Sequence, residues 1–271
     1  MERRIDTGTD QLLATLREGV LVITLNRPEA RNTLSVELST ALRAMIKLAG
    51  EDAAVRAVLL TGAGKAFCAG GDVKGMGENR KTTLTPEERL ADLKFRQMAS
   101  TGAILALRKP TIAALPGPAV GAGLALALSC DIRIAATSAF VSTGYSRVSL
   151  SGDYGIAWLL TRLVGTGRAR ELMFTNARLD AAGAERIGLV NRVVPDAELN
   201  EAAFAMAREL AAGPAIALAL MKDNLDLAPH VAYREAADQE AERMVMGQRT
   251  EDHKEAVRAF IAKRAPVFTG T

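Results

Sequence analysis

The spacing of hydrophobic and polar positions changes early in the chain. Apolar residues alternate over residues 11–17 and 20–25, which predicts two strands joined by a turn at residues 18–19. After Ser35 the apolar residues recur at helical spacing, and Ser35 can cap the N-terminus of that helix. A short, mainly apolar run at residues 56–60 then predicts a buried strand.

The middle of the chain repeats this order of strand and helix. Thr85, followed by Pro and two Glu residues, has the signature of a capping box and predicts a helix that ends near residue 108. Apolar strands are expected at residues 111–115 and 131–136, with a helix at residues 122–129 between them. Short buried strands that alternate with helices indicate an α/β fold with a parallel sheet.

The end of the chain has helical patterns only. Helices are expected over residues 196–212, 214–227, 233–246 and 251–263. We therefore predict an α/β core over residues 1–195 and a helical region over residues 196–271.

The composition is that of an ordinary globular protein. Hydrophobic residues make up 49% and charged residues 24% of the 271 residues, and the formal net charge is +3. This mild positive excess suits an anionic ligand but does not call for a nucleic-acid partner. Cys68 and Cys130 lack the spacing of a metal site, so we expect two buried thiols in the reducing cytoplasm and no bound metal.

The uncharged stretch at residues 110–130 has the length of a membrane span. Pro116 and Pro118 would break a helix there and leave about a dozen residues, fewer than the ~20 needed to cross a bilayer. A strand, a loop and a core helix are expected instead, with no contact to a membrane.

Two glycine-rich loops are the main candidates for a binding site. Residues 64–73 follow a predicted strand, and residues 115–123 lie between a strand and a helix. Glycine lets the backbone approach a ligand closely, and amides at a helix N-terminus favour negative charge. Two such loops that converge would form an oxyanion hole, although either alone is also typical of a tight turn.

Five segments, in order along nearly the whole chain, resemble motifs of the enoyl-CoA hydratase/isomerase (crotonase) superfamily. They are NRP at residues 26–28 with RNTL at 31–34, KAFCAGGD at 65–72, the run at 112–131 that contains PGPAVGAG, AAGAERIGLVNRVV at 181–194, and FIAKRAPVF at 260–268.

The resemblance implies a crotonase-like spiral of ββα units with a helical C-terminal trimerisation part, assembled as a homotrimer or a dimer of trimers. It implies acyl-CoA substrates of the kind used in fatty acid metabolism, so that coenzyme A belongs to the substrate and no separate cofactor is expected. The matching positions put the oxyanion amides at Gly71 and Ala122. Residues implied to contact the substrate or its coenzyme A are Arg27, Lys65, Ala69, Asp72, Val73, Tyr145, Phe260 and Lys263.

The chain departs from the family where two catalytic glutamates are expected. The first falls on Ala125, and the second falls on Tyr145 or Gly144, depending on the placement of a one-residue insertion. None of these is a carboxylate, so the two-glutamate mechanism of a hydratase does not carry over. Asp153 remains, at a position where isomerases and haloaryl-CoA dehalogenases of the superfamily have a working aspartate, and where Asp could equally cap the next helix.

These residues leave several functions open. The leading one is a lyase or isomerase that hydrates an enoyl-CoA or moves its double bond, with Asp153 as the acid–base group. Asp153 could instead be the nucleophile of a dehalogenase or hydrolase, or the chain could bind acyl-CoA without catalysis. The resemblance also implies RNA binding as a further candidate function. It is disfavoured because the basic residues are spread out and not clustered with aromatic residues.

Overall fold

The computed structural model describes residues 2–71 and 84–271. Strands and helices follow each other through the first 195 residues, as expected for an α/β protein. The strands are β1 (Glu2–Ile5), β2 (Leu12–Arg17), β3 (Val20–Leu25), β4 (Ala57–Gly62), β5 (Thr111–Leu115), β6 (Ala119–Val120), β7 (Ile132–Ala136), β8 (Phe140–Ser142), β9 (Leu179–Asp180) and β10 (Arg192–Val194).

Most helices lie where the apolar spacing predicts them, within a few residues at their ends, and α6 was not predicted. They are α1 (Val36–Glu51), α2 (Pro86–Gln97), α3 (Ala103–Ala106), α4 (Ala122–Ser129), α5 (Ile156–Thr175), α6 (Ala181–Arg186), α7 (Leu199–Ala212), α8 (Ala215–Leu227), α9 (Tyr233–Gln248) and α10 (Glu251–Ile261). A π-helical segment, Met98–Gly102, joins α2 to α3, so the single helix expected here contains a local widening of the backbone.

The strands form a large and a small sheet. The seven-stranded sheet has the order β1-β2-β3-β4-β5-β7-β10; β1, β2 and β3 pair antiparallel, and the strands from β3 to β10 pair in parallel. The three-stranded sheet has the order β6-β8-β9. The parallel part of the large sheet confirms the expected α/β architecture and directs the C-terminal ends of β4 and β5 to one edge, where the two glycine-rich loops begin.

Local capping signals are confirmed where the sequence predicts them. The Ser35 hydroxyl accepts a hydrogen bond from the Leu38 amide at 3.0 Å, and Thr85 and Glu88 form a reciprocal capping box. Each satisfies backbone amides that the first turn of the helix leaves unpaired. These contacts involve residues three apart in the chain, which is why sequence alone identifies them.

Helix α7 lies in the helical region expected at residues 196–271, but it packs on the large sheet. Its buried face of Leu199, Ala203, Ala207 and Ala211 covers a second hydrophobic cluster on the strands. Three of the four residues are alanine, which lets the helix axis lie close to the sheet. The change from strands to helices falls near residue 195, while the role of residues 196–271 in oligomerisation stays a prediction.

Within the described residues, no single helix is long and apolar enough to cross a membrane. The helical pair Asp196–Ala212 and Ala215–His230, bent by 105°, meets the length and composition criteria when the two are taken together.

Candidate active site

Asn32 anchors the first glycine-rich loop. Its side chain is completely buried, and its Nδ2 donates to the carbonyl oxygens of Ala63 at 3.0 Å and Ala66 at 2.8 Å. Its Oδ1 accepts from the Arg27 amide at 2.8 Å. Asn32 therefore ties the 27–32 turn to the loop that follows β4. In the sequence Asn32 stands out only as part of the 31–34 motif, which does not reveal this role.

The two glycine-rich loops lie side by side. Cys68 forms an isolated parallel bridge with Ala119, and its carbonyl oxygen accepts from the Val120 amide at 2.9 Å. A Cβ atom added to Gly123 would lie 2.3 Å from the Cys68 oxygen, and one added to Gly70 would lie 2.8 Å from the Val120 oxygen. Glycine is required at both positions because any side chain would push the loops apart.

Where the loops converge, two backbone amides have no acceptor within the described residues. Ala122 is the first residue of α4, and a Cβ atom on Gly70 would lie 3.6 Å from its nitrogen. Among residues 2–71 and 84–271, no acceptor pairs with the amide of Gly71 or of Ala122. The α4 dipole adds partial positive charge at the same place. The arrangement can stabilise a negatively charged oxygen.

Tyr145 and Asp153 form a hydrogen-bonded pair, and Tyr145 lies beside the residue that precedes Ala122. The Tyr145 hydroxyl donates to Asp153 Oδ1 at 2.7 Å, and its ring is buried. A Cβ atom built on Gly121, the residue before Ala122, would lie 3.9 Å from Tyr145 Cζ. Tyr145 thus lies beside the second glycine-rich loop, and Asp153 is joined to it by the hydrogen bond.

The electrostatic surroundings of the pair favour proton exchange at Asp153. Burial raises the pKa of the Asp153 carboxyl above its ordinary value, and the hydrogen bond from Tyr145 opposes part of that rise. Burial and the negative charge of Asp153 raise the pKa of Tyr145 far above its usual range. Tyr145 therefore keeps its proton and remains a donor, while Asp153 is the group that titrates.

The helix-cap interpretation of Asp153 is wrong. Helix α5 begins at Ile156 and has Gly155, with φ 75°, at its N-cap without a side-chain hydrogen bond. Asp153 contributes only its backbone oxygen, which accepts from the Ile156 amide at 3.1 Å. Its carboxylate is free of any capping role and faces Tyr145 instead.

Asn176 holds the segment that leads to Tyr145. Its buried Oδ1 accepts from the hydroxyls of Ser142 at 3.0 Å and Thr143 at 3.2 Å, and from the Gly144 amide. Gly144 has φ 80° and packs on the second glycine-rich loop, so the side chain that reaches Asp153 comes from Tyr145. Nothing in the local sequence pattern pointed to Asn176, which lies at the far end of α5.

The positions of the other expected catalytic groups lack acids. Ala125 is completely buried in α4, whose eight residues are all buried. A methyl group there can neither activate water nor move a proton.

Several residues implied to bind coenzyme A make no hydrogen bond to Tyr145 or Asp153 within the described residues. Arg27 Nη1 donates to the Thr33 carbonyl oxygen at 2.8 Å, which braces its own loop. The Ala69 amide donates to the Arg31 carbonyl oxygen, and Lys65 is exposed on the turn before it. Phe260 and Lys263 lie exposed at the end of α10, where no hydrogen bond links them to Tyr145 or Asp153, and Asp72 and Val73 lie outside the described residues.

Two cavities lie away from the pair. One of about 540 Å³ is lined by α8, α9, α10 and the chain that follows, and one of about 330 Å³ lies beside the contact of α7 with the large sheet. Neither is lined by Tyr145, Asp153 or the two exposed amides.

Comparison with known proteins gives one consistent family. Residues 15–271 match the model of the enoyl-CoA hydratase/isomerase family. A relative from Escherichia coli K12 named 1,2-epoxyphenylacetyl-CoA isomerase is 37% identical, covering 96% of this chain and 98% of its own. Crystal structures of enoyl-CoA hydratases from Polaromonas sp. JS666 and Bacillus anthracis superpose with TM-scores of 0.89 and 0.86, at 32% and 33% identity. They cover 95% and 93% of this chain, and 99% and 96% of their own.

Proposed function

The chain belongs to the enoyl-CoA hydratase/isomerase family, and we propose that within it the protein is an acyl-CoA isomerase with Asp153 as its single acid–base carboxylate. The observation that carries the proposal is the Tyr145–Asp153 pair beside Gly121. It supplies one titrating acid next to two amides that can hold a thioester oxygen.

The proposed reaction moves a double bond along the acyl chain. The Asp153 carboxylate takes a proton from Cα of a 3-enoyl-CoA, and the electron pair spreads into a dienolate whose oxygen carries negative charge. The amides of Gly71 and Ala122 stabilise that charge, each contributing about 3–4 kcal/mol to the transition state. The protonated Asp153 then returns a proton to Cγ, which gives the 2-enoyl-CoA and restores the carboxylate.

Hydration requires more acid–base side chains than this chain has at the positions of the family's two glutamates. Water must be activated and positioned while a second group protonates Cα, and the family does this with two glutamates. Here the two positions fall on Ala125 and on Tyr145 or Gly144, and none of these is a carboxylate. The high pKa of Tyr145 keeps it from acting as a base near neutral pH. An intramolecular proton shift needs only one carboxylate, which is why isomerisation is favoured.

The names of the relatives include both isomerases and hydratases. The relative from E. coli is named an isomerase of an acyl-CoA, whereas the solved structures are titled hydratases. We therefore rest the choice of isomerase on the side chains of this chain, and take from the relatives only the acyl-CoA class of substrate.

A panel of thioesters tests the proposal. The wild type and Asp153→Asn are assayed with 3-enoyl-CoA, 2-enoyl-CoA and hydroxyacyl-CoA, and thioester binding is measured by calorimetry. Wild-type turnover should be fastest on 3-enoyl-CoA, and Asp153→Asn should lower kcat by about 100- to 10,000-fold with near-normal binding. Faster wild-type hydration of 2-enoyl-CoA would contradict the isomerase assignment. Binding without turnover across the panel would favour the dehalogenase or non-catalytic alternative.

We also propose assembly as a homotrimer or a dimer of trimers. The helices α8 to α10 and the residues that follow expose many large apolar side chains: Met221, Leu225, Met244, Val245, Met246, Val257, Phe260, Ile261 and Val267. Apolar surface of this extent is typical of an interface between copies. Phe260 and Lys263 lie on this surface, so their proposed contact with coenzyme A would be made across it.

A further inference from the structure

We propose that Tyr145 is a positioning residue for proton transfer, because its hydroxyl holds one oxygen of Asp153 and leaves the other oxygen to exchange the proton with the acyl chain. This inference rests on the proposed function of Asp153. It gives Tyr145 a role other than the substrate contact that the resemblance implies.

The geometry restricts the carboxylate. Tyr145 is fixed from its N-terminal side because Asn176 holds the preceding residues, and its ring packs beside Gly121. Its hydroxyl reaches Oδ1 at 2.7 Å, the length of a hydrogen bond to a charged acceptor. The ring lies beside Gly121, one residue before the Ala122 amide, and its hydroxyl binds the carboxylate. Tyr145 thus links the site of negative charge to the site of proton transfer.

The neighbouring Tyr154 does not duplicate this contact. Its backbone amide donates to Gln97 Oε1 at 3.3 Å, and its hydroxyl has no hydrogen bond within the described part of the chain. Among the titratable and charged groups around the pair, Arg96 and Asp92 on α2 and Arg43 on α1 act electrostatically on Tyr154. Tyr145 is the group that acts on Asp153 by hydrogen bonding.

The donor also sets the pH range in which Asp153 is a base. A hydrogen bond to the carboxylate favours the anion, so its loss should raise the pKa of Asp153 further above the ordinary value. The base form would then be populated only at higher pH. A residue that merely filled space would not change this titration when its hydroxyl alone is removed.

The test compares Tyr145→Phe with the matched variant Tyr154→Phe, which also removes one hydroxyl from a buried tyrosine, the residue next to Asp153 in the chain. Infrared difference spectra of protein labelled with ¹³C at aspartate carboxyls follow the titration, and subtraction of the Asp153→Asn spectrum assigns the Asp153 band. Tyr145→Phe should raise the midpoint by about one pH unit, as expected for one hydrogen bond to a charged acceptor. Tyr154→Phe should move it by no more than a few tenths of a unit.

Kinetics supply the second readout. The acid limb of the kcat/KM profile should move up with the infrared midpoint, and the plateau kcat of Tyr145→Phe should fall about tenfold with KM nearly unchanged. An unmoved midpoint in Tyr145→Phe, or an equal shift in Tyr154→Phe, overturns the inference even if Asp153→Asn is inactive. A moved midpoint together with a fully active Asp153→Asn would instead keep the contact and refute the proposed function.

Discussion

Replacing Gly70 by alanine should separate the two glycine-rich loops and slow turnover. The added Cβ would lie 2.8 Å from the Val120 oxygen, whereas ordinary contact begins near 3.4 Å, so the loops must part by several tenths of an ångström. Gly70 also has φ 89°, and forcing an L-residue there costs about 1–3 kcal/mol. The displaced backbone is the one that carries the Gly71 amide and faces the Ala122 nitrogen.

The size of the effect follows from the precision that an oxyanion hole requires. Loss of one donor costs about 100- to 1,000-fold in kcat, and misplacement by about 1 Å costs about 100-fold. Because the required shift is smaller than 1 Å, we expect kcat to fall by about 10- to 100-fold. KM should change little, since the amides matter most when the oxygen becomes negative.

Gly8→Ala is the matched control. Gly8 has φ 73° and no atom within 4 Å of an added Cβ, so it shares the backbone cost without the steric contact. Steady-state kinetics on a 3-enoyl-CoA and the free energy of unfolding are measured for both variants. Both should lose stability, and only Gly70→Ala should lose kcat. Equal kcat in the two variants would show that the approach of the loops does not set the geometry of catalysis.

Three further predictions concern stability and assembly. Asn32→Ala should lower the free energy of unfolding by about 2–4 kcal/mol, because three backbone groups, one of them in a buried and two in partly buried hydrogen bonds, lose a partner. Asn26→Ala, which breaks one exposed hydrogen bond, should cost less than about 1 kcal/mol in the same denaturant titration. Asp153→Asn should raise the melting temperature at pH 7, because a carboxyl whose pKa is raised in the folded state destabilises that state once it is ionised. The gain in melting temperature should shrink as the pH falls through the raised pKa toward the unfolded value near 3.8. A gain that does not depend on pH would refute the argument. Light scattering should give three or six times the 28.7 kDa of one chain, and a stable monomer would refute the trimer proposal.

The sequence predicts the fold to the extent that the determinants are local. Most helices and the longer strands can be identified from the capping residues Ser35 and Thr85 and from the spacing of apolar residues. Both signals lie within a few residues of the chain. The strands β6, β8 and β9 were not predicted, because two or three residues are too few to show an alternation of apolar and polar positions.

The site was predictable in its backbone and less so in its side chains. Glycines in two loops indicated a close approach, and the structure has one. The Tyr145–Asp153 contact depends on the path of the intervening chain, which turns through left-handed residues at Ser149 and Gly152 that no motif specified. The guanidinium of Arg27 donates to the Thr33 carbonyl oxygen of its own loop, a contact that residue type alone does not reveal, and its contact with coenzyme A stays a prediction.

The most direct test of the account is the fate of the transferred proton. The wild type and Asp153→Asn are incubated with a 3-enoyl-CoA in D₂O, and the 2-enoyl-CoA product of the first turnover is analysed for deuterium at Cγ by mass spectrometry. A single shielded carboxylate that moves a proton from Cα to Cγ should return the original hydrogen in part of the turnovers, so the wild-type product should contain clearly less than one deuterium at Cγ. Asp153→Asn should form product at least about 100-fold more slowly. Full deuteration at Cγ combined with an unchanged rate in Asp153→Asn would contradict the account.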